Sequence, residues 1–410
     1  GVFPPRKAKT REVKVHRLLA MNNDLRKERT SMTKSTKLAA VLLLGLLVLP
    51  SASLFAQQAF STTIYFDYKS YLSDAGPGTL KPTNPATAYL SNAFLFRRAY
   101  FNYENKISDN LKFRFRLDAD NTANVTGLTV NFPGETVSTS KDSKLRPFMK
   151  HLFLEYSNFL VPKMVLNIGM IETLTFKPSE DRWGFRSVAK TLVDGYKDIT
   201  KKDILATSAD IGATLKYSLA KYFRVAGGVY NGASYSKEES DQFKKFQLQA
   251  QLTPVPGFSI VGYYDYERKL PNLTSFPDET APAAQTFKVD AFFEMVKNLV
   301  IGAEWFTFQY DLYQTGGEKY DVGGWSAFGR YTVSETFGLF GRYDSYAPNS
   351  LDRDLDMDMV IAGFDWTPFH KSWKLQPNVW FVNYCDGTRY NANATKNSDI
   401  IFNLTFFLSF

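Results

Sequence analysis

Residues 110–120 read Asn110-Leu111-Lys112-Phe113-Arg114-Phe115-Arg116-Leu117-Asp118-Ala119-Asp120. Leu111, Phe113, Phe115, Leu117 and Ala119 alternate one-for-one with Lys112, Arg114, Arg116, Asp118 and Asp120. In an extended chain successive side chains point to opposite faces, so this stretch is a ribbon with one greasy face and one fully charged face. A helix would scatter both sets around its circumference. Residues 245–253 repeat the pattern: Phe246, Leu248, Ala250 and Leu252 oppose Lys245, Gln247, Gln249 and Gln251. At the C-terminus Ile400, Phe402, Leu404, Phe406, Leu408 and Phe410 oppose Asn403, Thr405 and Ser409, with Ile401 and Phe407 as exceptions.

A single ribbon of this kind fits a soluble sandwich as well as a membrane barrel; the number of ribbons and the spacing between them decide. Read along the chain, the alternation predicts strands at 62–72, 91–106, 110–120, 148–158, 163–171, 208–218, 222–232, 242–253, 257–268, 285–297, 299–312, 322–334, 336–346, 355–367, 372–384 and 398–410. Sixteen is an even count, as in bacterial single-chain barrels. Short connections such as Ser108-Asp109, Lys297-Asn298 and Ser334-Glu335 alternate with long polar stretches at 73–90, 121–147, 172–207, 233–241, 269–284, 313–321, 347–354 and 385–397. Short turns at one end and long loops at the other are the arrangement of outer-membrane barrels, and a sandwich has no reason to segregate them. The expected fold is an all-β transmembrane antiparallel barrel of sixteen strands. The 35 Phe, 23 Tyr and 6 Trp suit strands and interfacial girdles.

The N-terminal region reads separately. From Met32, Lys34 and Lys37 supply a positive start, Leu38–Leu49 an uninterrupted apolar run, Pro50 a break, and Ser51–Ala56 small residues before Gln57. That order is a secretory signal peptide, and its apolar run is short for a membrane-spanning helix. The expected organisation is therefore an upstream segment of doubtful expression at 1–31, a signal peptide at 32–56 and a barrel at 57–410. Residues 1–56 hold eleven basic and three acidic side chains, leaving 38 of each sign in the remainder. The overall charge of +8 is thus a property of the leader and no pointer to nucleic acid. Cys385 stands alone, so no internal disulfide is expected.

An enzyme reading finds little support. His151 and His370 are far apart, with no nucleophile motif, metal spacing or phosphate loop beside them. Asp352, Asp354, Asp356 and Asp358 lack the glycine and glutamate of a calcium loop and read as a solvated acidic rim. No cofactor is implied.

Two groups carry the functional expectation. Lys112, Arg114 and Arg116 share one face, and a charge on the lipid face at mid-depth would cost about 2–4 kcal/mol, so they are expected to line a pore. The competing reading is a network balanced by Asp118, Glu155 and Glu104. The long third loop, 172–207, carries Lys177, Glu180, Asp181, Arg182, Arg186, Lys190, Asp194, Lys197, Asp198, Lys201, Lys202 and Asp203. Loops of this length in compact domains are usually functional. Trp183 and Phe185 favour its docking inside the barrel as a constriction of mixed charge, which orients polar solutes and selects ions; the alternative is a solvated outer loop.

Several stretches resemble the phosphate-selective porin O/P family: Phe96-Arg97-Arg98-Ala99 ahead of a strand and a Ser-Asp-Asn turn, Ile168-Gly169-Met170 before the third loop, and Ser208-Ala209-Asp210-Ile211-Gly212 after it. The resemblance implies a sixteen-stranded, usually trimeric barrel with an inward-folded third loop. Arg98 stands with Lys112, Arg114 and Arg116 among the pore-lining candidates. After Gly169 the family's threonine-proline step is displaced, with Pro178 appearing later, so the family's binding arginines are not carried onto this chain. The expected function is passive diffusion of small hydrophilic solutes through the bacterial outer membrane, with a preference for anions. A dedicated uptake channel for phosphate or another anion, and a plugged structural or adhesive barrel, are the alternatives. Expected partners are outer-membrane lipid, the permeating solutes or anions, two further copies in a homotrimer, and the barrel-assembly machinery through the C-terminal strand ending in Phe410.

Overall fold

Sixteen antiparallel strands hydrogen-bond in a closed ring. The computed structural model describes residues 58–73, 92–120, 124–131, 136–142, 146–194, 207–239, 241–269, 282–315, 318–390 and 396–410. The segments 1–31 and 32–56 lie outside the described residues, as do Lys197, Asp198, Lys201, Lys202 and Asp203 of the third loop.

In chain order the strands are β1 (Gln58–Ser73), β2 (Asn92–Lys106), β3 (Leu111–Asp120), β4 (Asn124–Asn131), β5 (Thr136–Asp142), β6 (Arg146–Ser157), β7 (Met164–Glu172), β8 (Ala209–Ala220), β9 (Phe223–Tyr230), β10 (Lys245–Val255), β11 (Phe258–Arg268), β12 (Ala283–Phe293), β13 (Leu299–Thr315), β14 (Glu318–Ser334), β15 (Phe337–Ala347), β16 (Met357–Trp366), β17 (Trp373–Tyr384) and β18 (Ser398–Ser409). Each barrel strand pairs with its sequence neighbour, and β18 closes the ring on β1 from Thr63 opposite Ser409 to Ser73 opposite Ile400. All sixteen expected strands are present, with ends displaced by a few residues. The β4–β5 hairpin was not anticipated: it forms its own two-stranded sheet within the connection between β3 and β6.

Burial shows which way the ribbons face. On β10, Gln247 is 5% exposed while its neighbours Phe246 and Leu248 are 55% and 58% exposed. Polar residues point in and apolar residues out, the inverse of a soluble core. This is what a barrel surrounded by lipid requires, since only closed sheets satisfy every backbone group in hydrocarbon. Trp305, Trp325, Phe381 and Leu154 lie on the same exposed outer surface. Among the described residues no helix is long and apolar enough to cross a membrane.

Two bulges break the alternation where it matters for the interior. In the β1–β2 ladder Tyr65 faces Arg98 and Phe66 faces Phe96, which leaves Arg97 as an extra residue. In the β3–β6 ladder Arg116 faces His151 and Leu117 faces Met149, which leaves Lys150 extra. A bulge sets two residues of one strand against one of its partner and re-aims side chains. Arg97 and Arg98, and likewise Lys150 and His151, therefore both reach the interior.

Glycine is required at the base of the third loop. Gly169 of β7 and Gly212 of β8 face each other across the ladder. Gly169 has φ +129°, and a Cβ there would strike the Leu152 carbonyl; one on Gly212 would strike the Val229 carbonyl and press on the Tyr230 ring.

Candidate pore constriction

The third loop leaves β7 and enters the barrel. Its first contacts are to the wall: the Leu174 amide donates to Gln247 Oε1 (2.9 Å), Gln249 Nε2 donates to the Leu174 carbonyl (2.5 Å), and Thr175 Oγ1 donates to the Tyr263 hydroxyl (2.8 Å). Next comes helix α1 (Lys177–Trp183), begun by Pro178 in its first turn and ended by Gly184 in the left-handed region at φ 71°. Ser179 docks on β12, donating to Asp290 Oδ1 (2.9 Å) and accepting from Lys288 Nζ (2.8 Å).

Trp183 is fully buried; its ring lies edge-on to Phe185, Phe328 and Phe340, and its Nε1 donates to the Ala189 carbonyl at 2.9 Å. Phe176, Phe185, Val188, Leu192 and Val193 join Trp183 in one apolar cluster with inward-facing residues of β13–β18, among them Phe306, Met359, Ile361, Trp380, Val382 and Ile401. The inner wall on this side is therefore greasy, and the loop covers it. Ile401, an exception to the alternation of the last strand, is fully buried in that cluster. Burying a large side chain contributes about 1.5–3 kcal/mol, so a loop holding Trp183, Phe185 and Leu192 is strongly fixed to the wall.

What stays open is a cavity of about 380 Å³ between the polar edge of the loop and the wall formed by β18, β1, β2, β3 and β6. Phe407, the second exception, lines it from β18. The cavity carries Arg114, Arg116, Lys150, Lys177 and Arg186 against Glu172 and Glu180, so cations outnumber anions five to two.

Of the residues singled out from the sequence, Lys112, Arg114 and Arg116 face the interior in one row. Lys112 pairs with Glu155 at 3.5 Å. Arg114 donates from Nε to Glu104 at 2.7 Å and stands 3.6 Å from Glu172. Arg116 has only neutral partners: Nε donates to Asn102 Oδ1 (2.5 Å), and its guanidinium lies 5.0 Å from the centre of the Tyr100 ring. Among the described residues no carboxylate pairs with it. Arg98 is buried and engaged, 3.2 Å from Asp118 and 2.9 Å from Asp120. On the loop, Lys177, at the cavity, pairs with Asp181 (2.5 Å), and Arg182 pairs with Glu294 (3.5 Å). Glu180 and Asp194 clasp Arg186, the latter at 2.7 Å, and Lys190 approaches Asp194 at 4.0 Å. Arg186 Nε also donates to the Tyr100 hydroxyl at 3.4 Å. Burial would raise the Asp194 carboxyl, but Lys190 and Arg186 hold it below the ordinary aspartate range. Asp194 supports the charge of Lys190, yet burial together with Arg186 leaves the Lys190 amine below its usual value.

Tyr100, Lys150 and Arg97 were not singled out. Tyr100 sits among Arg98, Arg116, Lys150 and Arg186, with Lys150 Nζ 5.4 Å from its ring centre. Arg97 grips the loop, donating to the Val188 carbonyl at 3.0 Å and to the Ser187 carbonyl. The signal for Arg97 and Lys150 would have been a bulge, which has no composition of its own.

No family model matches the chain, and no curated protein matches it in sequence. Solved structures do. The chain is similar to OmpF of Salmonella typhi, solved with daunomycin (TM-score 0.56, 10% identity, 86% of this chain and 97% of that one). It is also similar to the outer-membrane channel DcaP of Acinetobacter baumannii (0.54, 11%, 86% and 97%) and to an anion-selective porin from Comamonas acidovorans (0.54, 10%, 86% and 99%). The architecture is that of outer-membrane porins. The lipid-facing apolar surface and the closed ring place the barrel in a bacterial outer membrane.

Proposed function

We propose that this chain is a porin for passive diffusion of small hydrophilic solutes, with a preference for anions. The observation that carries the reading is the surplus of cations in the open cavity, where no described carboxylate forms an ion pair with Arg116. Rings of basic side chains at a narrow point favour anions. A barrel of sixteen strands is wide enough to hold an aqueous path beside the loop. That one solved structure of like fold is an anion-selective porin supports the same reading. Residues Lys112, Arg114 and Arg116 form the basic wall, Arg98 braces it, and the loop residues Lys177, Glu180 and Arg186 form the opposing edge. Arg182 ties the loop to Glu294, while Asp181 and Lys190 pair within the loop, with Lys177 and Asp194. The chain assembles as a homotrimer, delivered by the barrel-assembly machinery reading the strand that ends in Phe410.

The test is single-channel recording of the refolded barrel in a planar bilayer, with the reversal potential measured across a salt gradient. Stable open steps with an anion-selective potential support the reading. A heat-modifiable, folded barrel without conductance would replace it with a plugged barrel. Conductance saturating with one particular anion would replace it with a dedicated uptake channel.

A further inference from the structure

Arg97 and Arg98 are adjacent, and the bulge in β2 turns both inward, yet they act in different places. Arg98 binds along the wall to Asp118 and Asp120. Arg97 reaches to the tip of the third loop instead, where Nη1 meets the Val188 carbonyl at 3.0 Å and Nη2 meets the Ser187 carbonyl. Its own position is fixed from behind. Nη1 lies 3.0 Å from Asp67, the guanidinium stands 5.2 Å from the Tyr65 ring centre, and Asp67 accepts from Thr405 Oγ1 at 2.6 Å across the closing seam. On the other flank of the tip, Ser187 Oγ donates to Gln376 Oε1 at 2.5 Å. The residue before this gripped dipeptide is Arg186, which with Lys177 is a loop cation lining the open cavity.

We infer that Arg97 is a positioning residue for the constriction: its fork on the Ser187 and Val188 carbonyls fixes where Arg186 stands opposite the Arg114–Arg116 wall, and so sets the width and anion preference of the opening. This rests on the porin reading above. Two carbonyls held by one planar donor define both position and angle, which a flexible ammonium cannot reproduce. Losing the fork removes one of three restraints on Ser187 and Val188, leaving the Gln376 bond and the apolar packing of Val188, so the segment shifts while the loop stays on the wall.

Arg97→Lys is the variant to record, because it keeps a cation beside the fully buried Asp67 and removes only the fork; Arg97→Gln with Asp67→Asn removes the pair together. Folding is checked by heat-modifiable migration and by the combined emission of the six tryptophans. Single-channel conductance is expected to rise roughly twofold in both, with the anion-to-cation permeability ratio falling by a similar factor. Folded channels with wild-type conductance and reversal potential would overturn the inference and leave the porin reading intact. A wild-type barrel that does not conduct would overturn both. A lower melting temperature with unchanged permeation would make Arg97 a structural brace only, and would also overturn it.

Discussion

Lys150 and Asp118 form an ion pair of 3.0 Å inside the barrel wall, with side chains 3% and 0% exposed. Asp118 serves Arg98 as well, at 3.2 Å, so one carboxylate offsets two buried cations. Removing one member of a buried pair leaves an uncompensated charge, which costs about 3–5 kcal/mol. Asp118→Asn is therefore expected to destabilise the barrel by about that much. A lower temperature for the shift between folded and unfolded migration on electrophoresis would register the change. The folded fraction is expected to be more anion-selective than the wild type, because Lys150 loses its paired carboxylate while Arg98 keeps Asp120 at 2.9 Å.

The three cations of β3 differ in their neighbours and should differ in weight. Lys112 and Arg114 are offset by Glu155 and Glu104, whereas Arg116 hydrogen-bonds to Asn102, lies over Tyr100 and forms no ion pair among the described residues. Arg116→Gln is expected to lower the anion-to-cation permeability ratio roughly twofold, and Lys112→Gln to change it little, since a compensated charge adds less to the local potential. Reversal potentials in a salt gradient decide the order. Equal effects from all three would mean that the ion pairs do not screen the opening.

Trp183 holds the loop to the wall. Trp183→Ala removes a fully buried indole from a cluster that spans loop and barrel, at about 3–5 kcal/mol for a large-to-small change. The barrel backbone should persist while the loop loosens, so the expected record is a larger, noisier conductance. Quiet wild-type steps would show that the loop is held by its polar contacts alone.

Acid should act on the loop through Asp194. Its carboxyl lies below the ordinary aspartate range, because Lys190 and Arg186 outweigh the effect of burial. A lowered carboxyl contributes stability that is present above its unfolded value and lost as pH falls through the folded one. The loop should thus be quiet at neutral pH and become unstable only below about pH 4, where aspartate ordinarily titrates. Current noise recorded from pH 7 downward checks the sign. Asp194→Asn should show the acid behaviour at neutral pH.

The alternation of residues such as Phe246 and Gln247 made every barrel strand legible, because lipid outside and water inside impose opposite demands on successive side chains. Trp183 and Phe185 in a polar loop foretold its inward docking. The rest was hidden for definite reasons. Ile401 and Phe407 looked like faults in the pattern; Ile401 belongs to an apolar patch that needs the loop as its cover, and Phe407 lines the cavity. Arg97 and Lys150 would sit on the lipid side under strict alternation, and only the ladder mismatches reveal that they do not. The β4–β5 hairpin pairs with no barrel strand, so the period that located the others gave it no support.

The seam between β1 and β18 carries a further consequence. The loop's apolar cluster takes Met359 and Ile361 from β16, Trp380 and Val382 from β17 and Ile401 from β18. Those strands are the last to emerge during synthesis, and the final one must find the first to complete the ring. The strands that close the ring are thus also part of the loop's seat, so the loop's apolar face is fully covered only once the last pairing is made. Maturation of this protein is in that sense a packaging problem: a chain stalled before Trp380 would lack both its seam and part of the apolar surface on which its loop rests.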